Sequence, residues 1–304
     1  MELPQGSEYH GEAIALNTGR NCLEYILRVR GYTNVYLPYY SCDVLLEPFS
    51  KLDIKYSFYH INEQLEPDKD IQLSGGEAIL YVNYFGLKQR CVDKLAAKYG
   101  RQLIVDNTQA FYDRPIEGID TFYSCRKFFG VADGAYLYCD QQLDMELQQD
   151  QSWERMTHLL KRIDVSPEAA YNDFSRQDDQ LKDNPIRMMS QLTRRIMASI
   201  DYDVVKTKRR DNYMLLETGL SEKNGISLTL SDDAVPMVYP FLTTDSEMRH
   251  RLIDNRIYVA TYWPNVLDWC DAHSNDYKLT KYLLPLPIDH RYGKQDYKHT
   301  IALI

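Results

Sequence analysis

Short apolar runs alternate with helical patterns through the first half of the chain. Positions 54–59 alternate between apolar and polar side chains, as in a strand with one buried face. The runs 78–83 and 103–105 are almost entirely apolar, which is typical of strands buried on both faces of a sheet. The helical pattern at 92–99 ends at Gly100, a residue type that commonly caps helices. Other strand patterns lie at 34–37, 121–124 and 135–138, and other helical ones at 22–27 and 42–47. This alternation predicts βαβ units and a mainly parallel sheet covered by helices.

The second half of the chain has a different character. From about residue 145 to 218 the pattern is charged and helical, and Gly219 is a natural stop. From residue 227 onward a strand pattern at 238–241 is followed by a helical one at 245–254. We therefore predict a large α/β domain with a helical connector over 1–205 and a smaller α+β domain over 206–304.

Composition and charge exclude several classes of protein. No segment approaches the roughly 18 consecutive apolar residues of a membrane span, and the stretch from Met1 to Gly6 does not resemble a signal peptide. Six scattered cysteines without a CxxC pair or a metal-ligand spacing favour reduced thiols in a cytoplasmic protein without a bound metal. A net charge of -9 without a basic stripe argues against nucleic acid as a partner.

Polar residues that could take part in catalysis or cofactor binding lie where strands end and a helix begins. Asp106 follows the strand pattern 103–105, Lys127 follows 121–124, and Thr18 precedes the first helical run. Ligands of open α/β sheets bind at the carboxyl ends of strands. Pyridoxal phosphate requires a lysine amine for its aldehyde, a carboxylate for its pyridine nitrogen and a helix N-terminus for its phosphate. Each residue alone is more simply a cap or a surface side chain, but the three in this order favour a pyridoxal-phosphate enzyme.

Several segments in chain order resemble the DegT/DnrJ/EryC1/StrS aminotransferases, which belong to the aspartate aminotransferase-like (fold type I) enzymes. The matching segments are Asn17-Thr18-Gly19-Arg20, Asn83-Tyr84-Phe85-Gly86, Asp106-Asn107-Thr108-Gln109-Ala110 and Lys127 with the trailing Asp133-Gly134. The resemblance implies a three-layer α/β/α fold with a mostly parallel central sheet and a smaller C-terminal α+β domain. It also implies pyridoxal 5'-phosphate as the cofactor.

The resemblance implies roles for individual residues. Lys127 would carry the cofactor as a Schiff base, and Asp106 would pair with its pyridine nitrogen. Gln109 would contact the ring near its phenolic oxygen. The turn formed by Thr18, Gly19 and Arg20 would cradle the phosphate, and Asn83 would lie at the cofactor.

The chain departs from the family pattern at two places. Phe122 stands where the family has a serine for the phosphate, so Ser124 is the replacement candidate. Cys42 falls near the place of the aromatic residue that stacks on the ring, which leaves Tyr39 or Tyr40 for that contact. We take Tyr40 as the candidate. The chain is also shorter than typical members of the family.

The family resemblance further implies a homodimer with shared active sites. Asn184-Pro185-Ile186-Arg187-Met188 is the nearest match to a segment whose asparagine reaches the phosphate of the neighbouring subunit, with one extra residue before Arg187. The alternative is that Asn184 and Pro185 merely start a surface helix.

The function implied is transfer of an amino group from an amino acid, with glutamate the expected donor, to a keto group, with a keto-sugar the typical acceptor of the family. Lys127 would then act as general acid and base for the proton shift. A lyase, dehydratase or decarboxylase is the second hypothesis. The sugar dehydratases of the family replace the lysine with histidine, so Lys127 favours transamination. A third hypothesis is a protein of this fold that binds a ligand without turnover.

Overall fold

A seven-stranded sheet forms the centre of the chain in a computed structural model that describes residues 3–304. Met1 and Glu2, part of the N-terminal stretch compared with signal peptides, lie outside the described residues. The strands are β1 (Ile14–Leu16), β2 (Asn34–Pro38), β3 (Lys55–Tyr59), β4 (Glu77–Val82), β5 (Leu103–Asp106), β6 (Asp120–Ser124) and β7 (Ala135–Tyr138). Their order across the sheet is β1-β7-β6-β5-β4-β2-β3. Strands β2 to β6 run parallel, whereas β7 runs antiparallel to its neighbours β6 and β1. The predicted mostly parallel sheet is thereby confirmed.

Eleven helices pack around the sheet or follow it within the described residues. They are α1 (Gly19–Arg30), α2 (Glu47–Leu52), α3 (Gln89–Tyr99), α4 (Thr157–Asp164), α5 (Pro167–Asp179), α6 (Gln191–Met197), α7 (Tyr202–Leu220), α8 (Met248–Asp254), α9 (Val266–Trp269), α10 (Asn275–Tyr282) and α11 (Lys294–Leu303). Gly100 caps α3 as its pattern predicts. None of the helices in 3–304 is long and apolar enough to cross a membrane.

Gly219 lies one residue before the end of α7 at Leu220, so the helix end predicted at this glycine is confirmed to within a residue. It lies inside α7, where a Cβ atom would come within 2.6 Å of the Ile301 side chain on α11. The glycine therefore also lets two helices approach closely, a role that the sequence pattern did not indicate.

The C-terminal part has a small sheet and a core of its own. Strands β8 (Val238–Leu242) and β9 (Leu283–Pro287) pair antiparallel. A second apolar cluster packs on them and is built entirely from residues after 212, among them Tyr213, Leu252 and Tyr297. The predicted boundary at 205/206 falls within α7, so the division into domains stays a prediction.

A buried carboxylate fastens the loop after β6 to α6. Asp133, with none of its surface exposed, accepts hydrogen bonds from the Ser190 backbone N–H and hydroxyl, both at 2.8 Å, and from the Thr193 hydroxyl. The adjacent Gly134 has a φ of 110°, and a Cβ there would lie 2.8 Å from the Thr193 side chain. The Asp-Gly pair of the sequence is thus required by this packing.

Removing the Asp133 carboxylate should destabilise the fold. Asp133→Ala leaves the Ser190 N–H and the Thr193 hydroxyl buried without an acceptor, while the Ser190 hydroxyl keeps Ser152 as a partner, so we expect the free energy of unfolding to fall by about 3 kcal/mol in urea denaturation. Asp179→Ala is the matched control, because its ion pair with Lys182 is exposed and its loss should cost less than about 0.5 kcal/mol. Equal effects of the two substitutions would contradict this account.

Candidate functional site

The adjacent parallel strands β5 and β6 bring Asp106 and Lys127 to one edge of the sheet. Asp106 is the last residue of β5, and β6 ends at Ser124, from which a turn leads to Lys127. Thr108 connects the two: its backbone N–H donates to Asp106 Oδ1 at 2.8 Å, and its hydroxyl accepts from Lys127 Nζ at 2.9 Å. The structure therefore joins the carboxylate and the amine through one residue.

Sequence reasoning missed Thr108. Two features could have indicated it: it stands where the matching family segment has alanine, and it follows Asp106 by two positions, where an aspartate side chain commonly accepts a backbone hydrogen bond.

Burial shifts both ionisable groups toward their neutral forms. Desolvation raises the pKa of Asp106, although the charge of Lys127 and hydrogen bonds from Thr108 oppose the shift. Desolvation also lowers the pKa of Lys127, and here the charge of Asp106 opposes it. Lys127 keeps an exposed face while protein surrounds its amine closely enough to desolvate it. The result is an accessible amine that loses its proton more readily than an ordinary lysine.

Gln109 presents a buried donor without a partner beside this pair. Its Oε1 accepts from the Phe85 backbone N–H at 2.8 Å, and Phe85 adopts a left-handed φ of 61°. This bond fixes the orientation of the amide, so the remaining group is the Nε2 donor, which has no hydrogen-bond partner within 3–304. Gly86 makes the approach possible, since a Cβ there would lie 3.2 Å from the Gln109 carbonyl oxygen. A buried unpaired donor of this kind indicates a ligand atom.

The N-terminus of α1 faces the same place. Thr18 caps the helix by accepting the Asn21 N–H at 3.2 Å, and the first turn carries no acidic residue. A Cβ on Gly19 would lie 3.3 Å from the Thr108 side chain, so this helix end adjoins the Asp106–Lys127 pair. Its free backbone N–H groups form a natural anion site. The Arg20 guanidinium, by contrast, is paired with Glu47 at 2.6 Å.

Asn83 is committed to the protein around it. Its Nδ2 donates to Asp113 Oδ2 at 2.7 Å, and its Oδ1 accepts from the Lys88 N–H at 3.0 Å. These bonds hold the turn after β4 that carries Phe85. A direct contact of Asn83 with a cofactor stays a prediction.

The structure separates the three candidates near the predicted ring-stacking position. Tyr40 is fully buried, with its ring centre 5.6 Å from that of Tyr84 and 5.0 Å from that of Trp263. Tyr39 stacks on Phe58 instead. Cys42 lies near enough to Lys127 for the ammonium to oppose the burial that raises the pKa of its thiol to about 11. Stacking by Tyr40 stays a prediction. In this segment, the charge of Lys127 acts on the pKa of the Cys42 thiol.

The segment around Asn184 lies against its own α1. The Asn184 carbonyl accepts from Asn21 Nδ2 at 3.0 Å, and its side chain donates to the Gln180 carbonyl at 2.6 Å. Asn17 further binds this segment by accepting the Arg187 N–H at 3.3 Å. The structure thus places the segment beside the proposed phosphate end of its own chain.

The residues brought together fit pyridoxal phosphate. Lys127 supplies the amine and Asp106 the buried carboxylate, while the unpaired Gln109 donor suits the phenolic oxygen of the ring. The N-terminus of α1 suits the phosphate, and the buried Ser124 at the end of β6 lies on the same sheet edge. The role of each residue toward the cofactor stays a prediction.

Comparison with solved structures places the fold among aminotransferases. DesV from S. venezuelae, solved with a ketimine intermediate, superposes with a TM-score of 0.67 at 17% identity over 96% of this chain and 83% of its own. Sugar aminotransferase CalS13 from Micromonospora echinospora gives 0.62 at 15% over 96% and 86%. A DegT DnrJ EryC1 StrS aminotransferase from Brucella abortus gives 0.63 at 13% over 96% and 84%. At these identities the likeness establishes the fold alone. No protein-family model and no curated protein matches the sequence.

The lowered pKa of Lys127 predicts its chemical behaviour. In the cofactor-free chain, an amine-selective label followed by peptide mapping should modify Lys127 with a pH midpoint below that of an ordinary lysine, about 10.4. Asp106→Asn removes the negative charge that raises this pKa, so the midpoint should move to still lower pH. Lys182, whose pKa its ion pair with Asp179 raises, is the internal control. An upward shift in Asp106→Asn would refute the coupling.

Proposed function

We propose that this chain is a pyridoxal-phosphate-dependent aminotransferase that moves an amino group from an amino acid to the keto group of a keto-sugar. The observation that carries the proposal is the junction of Lys127 and Asp106 through Thr108 beside the unpaired amide of Gln109. The fold shared with CalS13, which is described as a sugar aminotransferase, supports the choice of acceptor class.

Each residue has a defined task in the proposed reaction. When bound, pyridoxal phosphate supplies an aldehyde that condenses with amines and a ring that accepts the electrons released when a Cα–H bond breaks. The Asp106 carboxylate keeps a proton on the pyridine nitrogen, because a buried negative charge is stabilised by a cationic partner. Lys127 Nζ would accept the proton released from the Cα–H bond and donate it to the carbon that was the aldehyde carbon. Its lowered pKa makes the neutral amine, which is the form that accepts a proton, easier to reach than in an ordinary lysine.

Thr108 and the neighbouring groups hold the reacting atoms in position. The Thr108 hydroxyl, 2.9 Å from Lys127 Nζ, orients the amine toward the carboxylate side of the site. The unpaired Gln109 Nε2 donor would hold the phenolic oxygen. The backbone N–H groups of Gly19 and Arg20, with the Ser124 hydroxyl, would hold the phosphate at the start of α1.

A direct assay tests the reaction type. The purified chain with pyridoxal phosphate should show the visible absorbance of a lysine-bound cofactor, and addition of glutamate should release 2-oxoglutarate. A panel of keto-sugars and keto acids then identifies the acceptor. Release of ammonia without 2-oxoglutarate would favour the lyase or dehydratase hypothesis, and bound cofactor without any turnover would favour the binding-protein hypothesis.

Two substitutions separate attachment from electron withdrawal. Lys127→Ala should lose the visible absorbance and all turnover, because the amine that attaches the cofactor is gone. Asp106→Asn should retain bound cofactor yet lose roughly 100-fold or more of the activity, since the ring nitrogen loses its charged partner. Borohydride reduction and peptide mapping should place the label on Lys127. A purely capping role for Asp106 predicts instead near-normal activity and a stability loss of about 1 kcal/mol.

The chain is further proposed to act as a homodimer with shared sites. Helices α4 and α5 expose large apolar side chains, among them Ile163 at 81% and Tyr171 at 68%. Such a face favours burial against a second copy. Gln177 on α5 donates to the Ala132 carbonyl at 2.7 Å, which ties this face to the loop that carries Lys127.

Mixing two inactive variants tests whether sites are shared. Chains with Lys127→Ala are mixed with chains carrying both Asn184→Ala and Arg187→Ala. If the segment with Asn184 and Arg187 contributes to the partner's site, each mixed dimer contains one intact site, and activity should partly return. The segment around Asn184 also contacts α1 of its own chain, so it could serve its own site instead. In that case no activity returns even though subunit exchange is demonstrated.

A further inference from the structure

A second group of chemically active side chains lies where the end of β3 meets the start of α10. His60, Cys270 and Asp276 each offer one ligand atom, and these atoms all lie within 4.8 Å of one another. His60 Nδ1 and Asp276 Oδ2 are 2.7 Å apart. We call these three residues the His60 cluster. None of them has a task in the proposed amino transfer.

The charge balance of the His60 cluster favours a cation. Asp276 has no exposed surface, yet its ion-pair partner within 3–304 is a histidine rather than a lysine or arginine. Its other carboxylate oxygen accepts the Ile61 backbone N–H at a long 3.4 Å, and the first turn of α10, in which Asp276 lies, adds backbone N–H groups but no full positive charge. Burial of a carboxylate with so little compensation is costly, and burial accordingly raises the pKa of Asp276. A divalent cation would supply the missing positive charge.

A second cluster in the chain shows how an arginine can meet the same need. Asp120, Cys139 and Asp140 are grouped as closely as the His60 cluster, but Arg30 lies between the carboxylates at 2.7 and 2.6 Å. Their charge is therefore neutralised by the protein itself. The His60 cluster has no such guanidinium among the described residues, which separates a candidate metal site from an ordinary ion pair.

The donor atoms select the class of metal. One imidazole nitrogen, one sulfur and one carboxylate oxygen form the mixed set that zinc accepts, whereas magnesium and calcium prefer oxygen alone. Zinc–ligand bonds of about 2.0–2.3 Å place the ligands of a tetrahedral site roughly 3.3–3.8 Å apart, so small side-chain rotations would suffice. Without a metal, burial first and the Asp276 charge second raise the pKa of the Cys270 thiol to about 12. It is then a protonated, unreactive group.

We propose that His60, Cys270 and Asp276 bind one zinc ion, with a water molecule as the fourth ligand. The His60 side chain is 41% exposed, which leaves room for that water. On binding, the Cys270 thiol releases its proton to solvent and the thiolate forms the zinc–sulfur bond, with no change in oxidation state. The ion joins the end of β3 to the segment that begins α10. His60 stacks on Tyr39, with ring centres 4.5 Å apart. The bound ion would therefore also make the segment from Tyr39 to Cys42 more rigid.

Cobalt(II) is the probe for this site, since it replaces zinc in such sites and is coloured. The cofactor-loaded protein is treated with a chelator, freed of it and titrated with Co²⁺. We expect about one equivalent to bind with tetrahedral absorption bands at the red end of the visible spectrum and a sulfur-to-metal band in the near ultraviolet. Zinc should displace the cobalt and raise the Tm by several degrees.

Variants assign the ligands. Cys270→Ser should abolish the sulfur-to-metal band, and His60→Gln should weaken cobalt binding by at least about tenfold. Cys139→Ser, a substitution in the cluster that Arg30 neutralises, should bind as the unaltered protein does. No uptake by the unaltered protein would overturn the proposal whatever the variants do, and would leave an ordinary histidine–aspartate pair beside a thiol. A sulfur band that survives Cys270→Ser would overturn it as well.

Discussion

A carboxylate removed from water is unstable unless neighbouring groups compensate for its charge, and Asp106 is such a group at the centre of this fold. Its compensation comes from the Thr108 N–H and from the ammonium of Lys127. Both depend on the register of β5 and β6, in which Asp106 pairs with Phe122. Strand β6 therefore continues two residues beyond the end of β5, and the turn that follows brings Lys127 back toward Asp106. The parallel pairing of β5 and β6 thus brings the Lys127 amine and the Asp106 carboxylate close together.

The same constraint explains why the surroundings of the pair are so heavily hydrogen-bonded. Lys127 can keep its position only if the loop from 125 to 134 is rigid, and Asp133 fixes the far end of that loop to α6. On the other side, Asn83 fixes the turn that carries Phe85, whose N–H in turn orients Gln109. Asp133 and Asn83 therefore determine the positions of Lys127 and Gln109, the residues proposed to contact the cofactor. This is the positioning role that the structure gives to Asn83.

The sheet could be predicted from the sequence because continuous apolar runs report burial on both faces, and 103–105 and 135–138 coincide with strands to within a residue. Strand β1 was not predicted because three residues carry too little pattern, and β9 because it contains two prolines. The packing role of Gly219 was not predicted, because a glycine needed for close packing looks the same in sequence as one that ends a helix. Periodicity indicates which residues are buried, but not what a polar side chain bonds. For this reason Thr108 and the pairing of Arg20 with Glu47 emerged only from the structure.

The His60 cluster shows the same limit at longer range. Its ligands come from residues 60, 270 and 276, so no spacing motif exists in the sequence, and the expectation of a protein without metal rested on that absence. The fold places a buried carboxylate, an imidazole and a thiol together without an arginine, although it supplies Arg30 to the comparable cluster at Asp120. The physical difference between them is the kind of partner: Asp120 has the permanently charged guanidinium of Arg30, whereas Asp276 has an imidazole, and the proposed divalent ion would supply the fixed positive charge there.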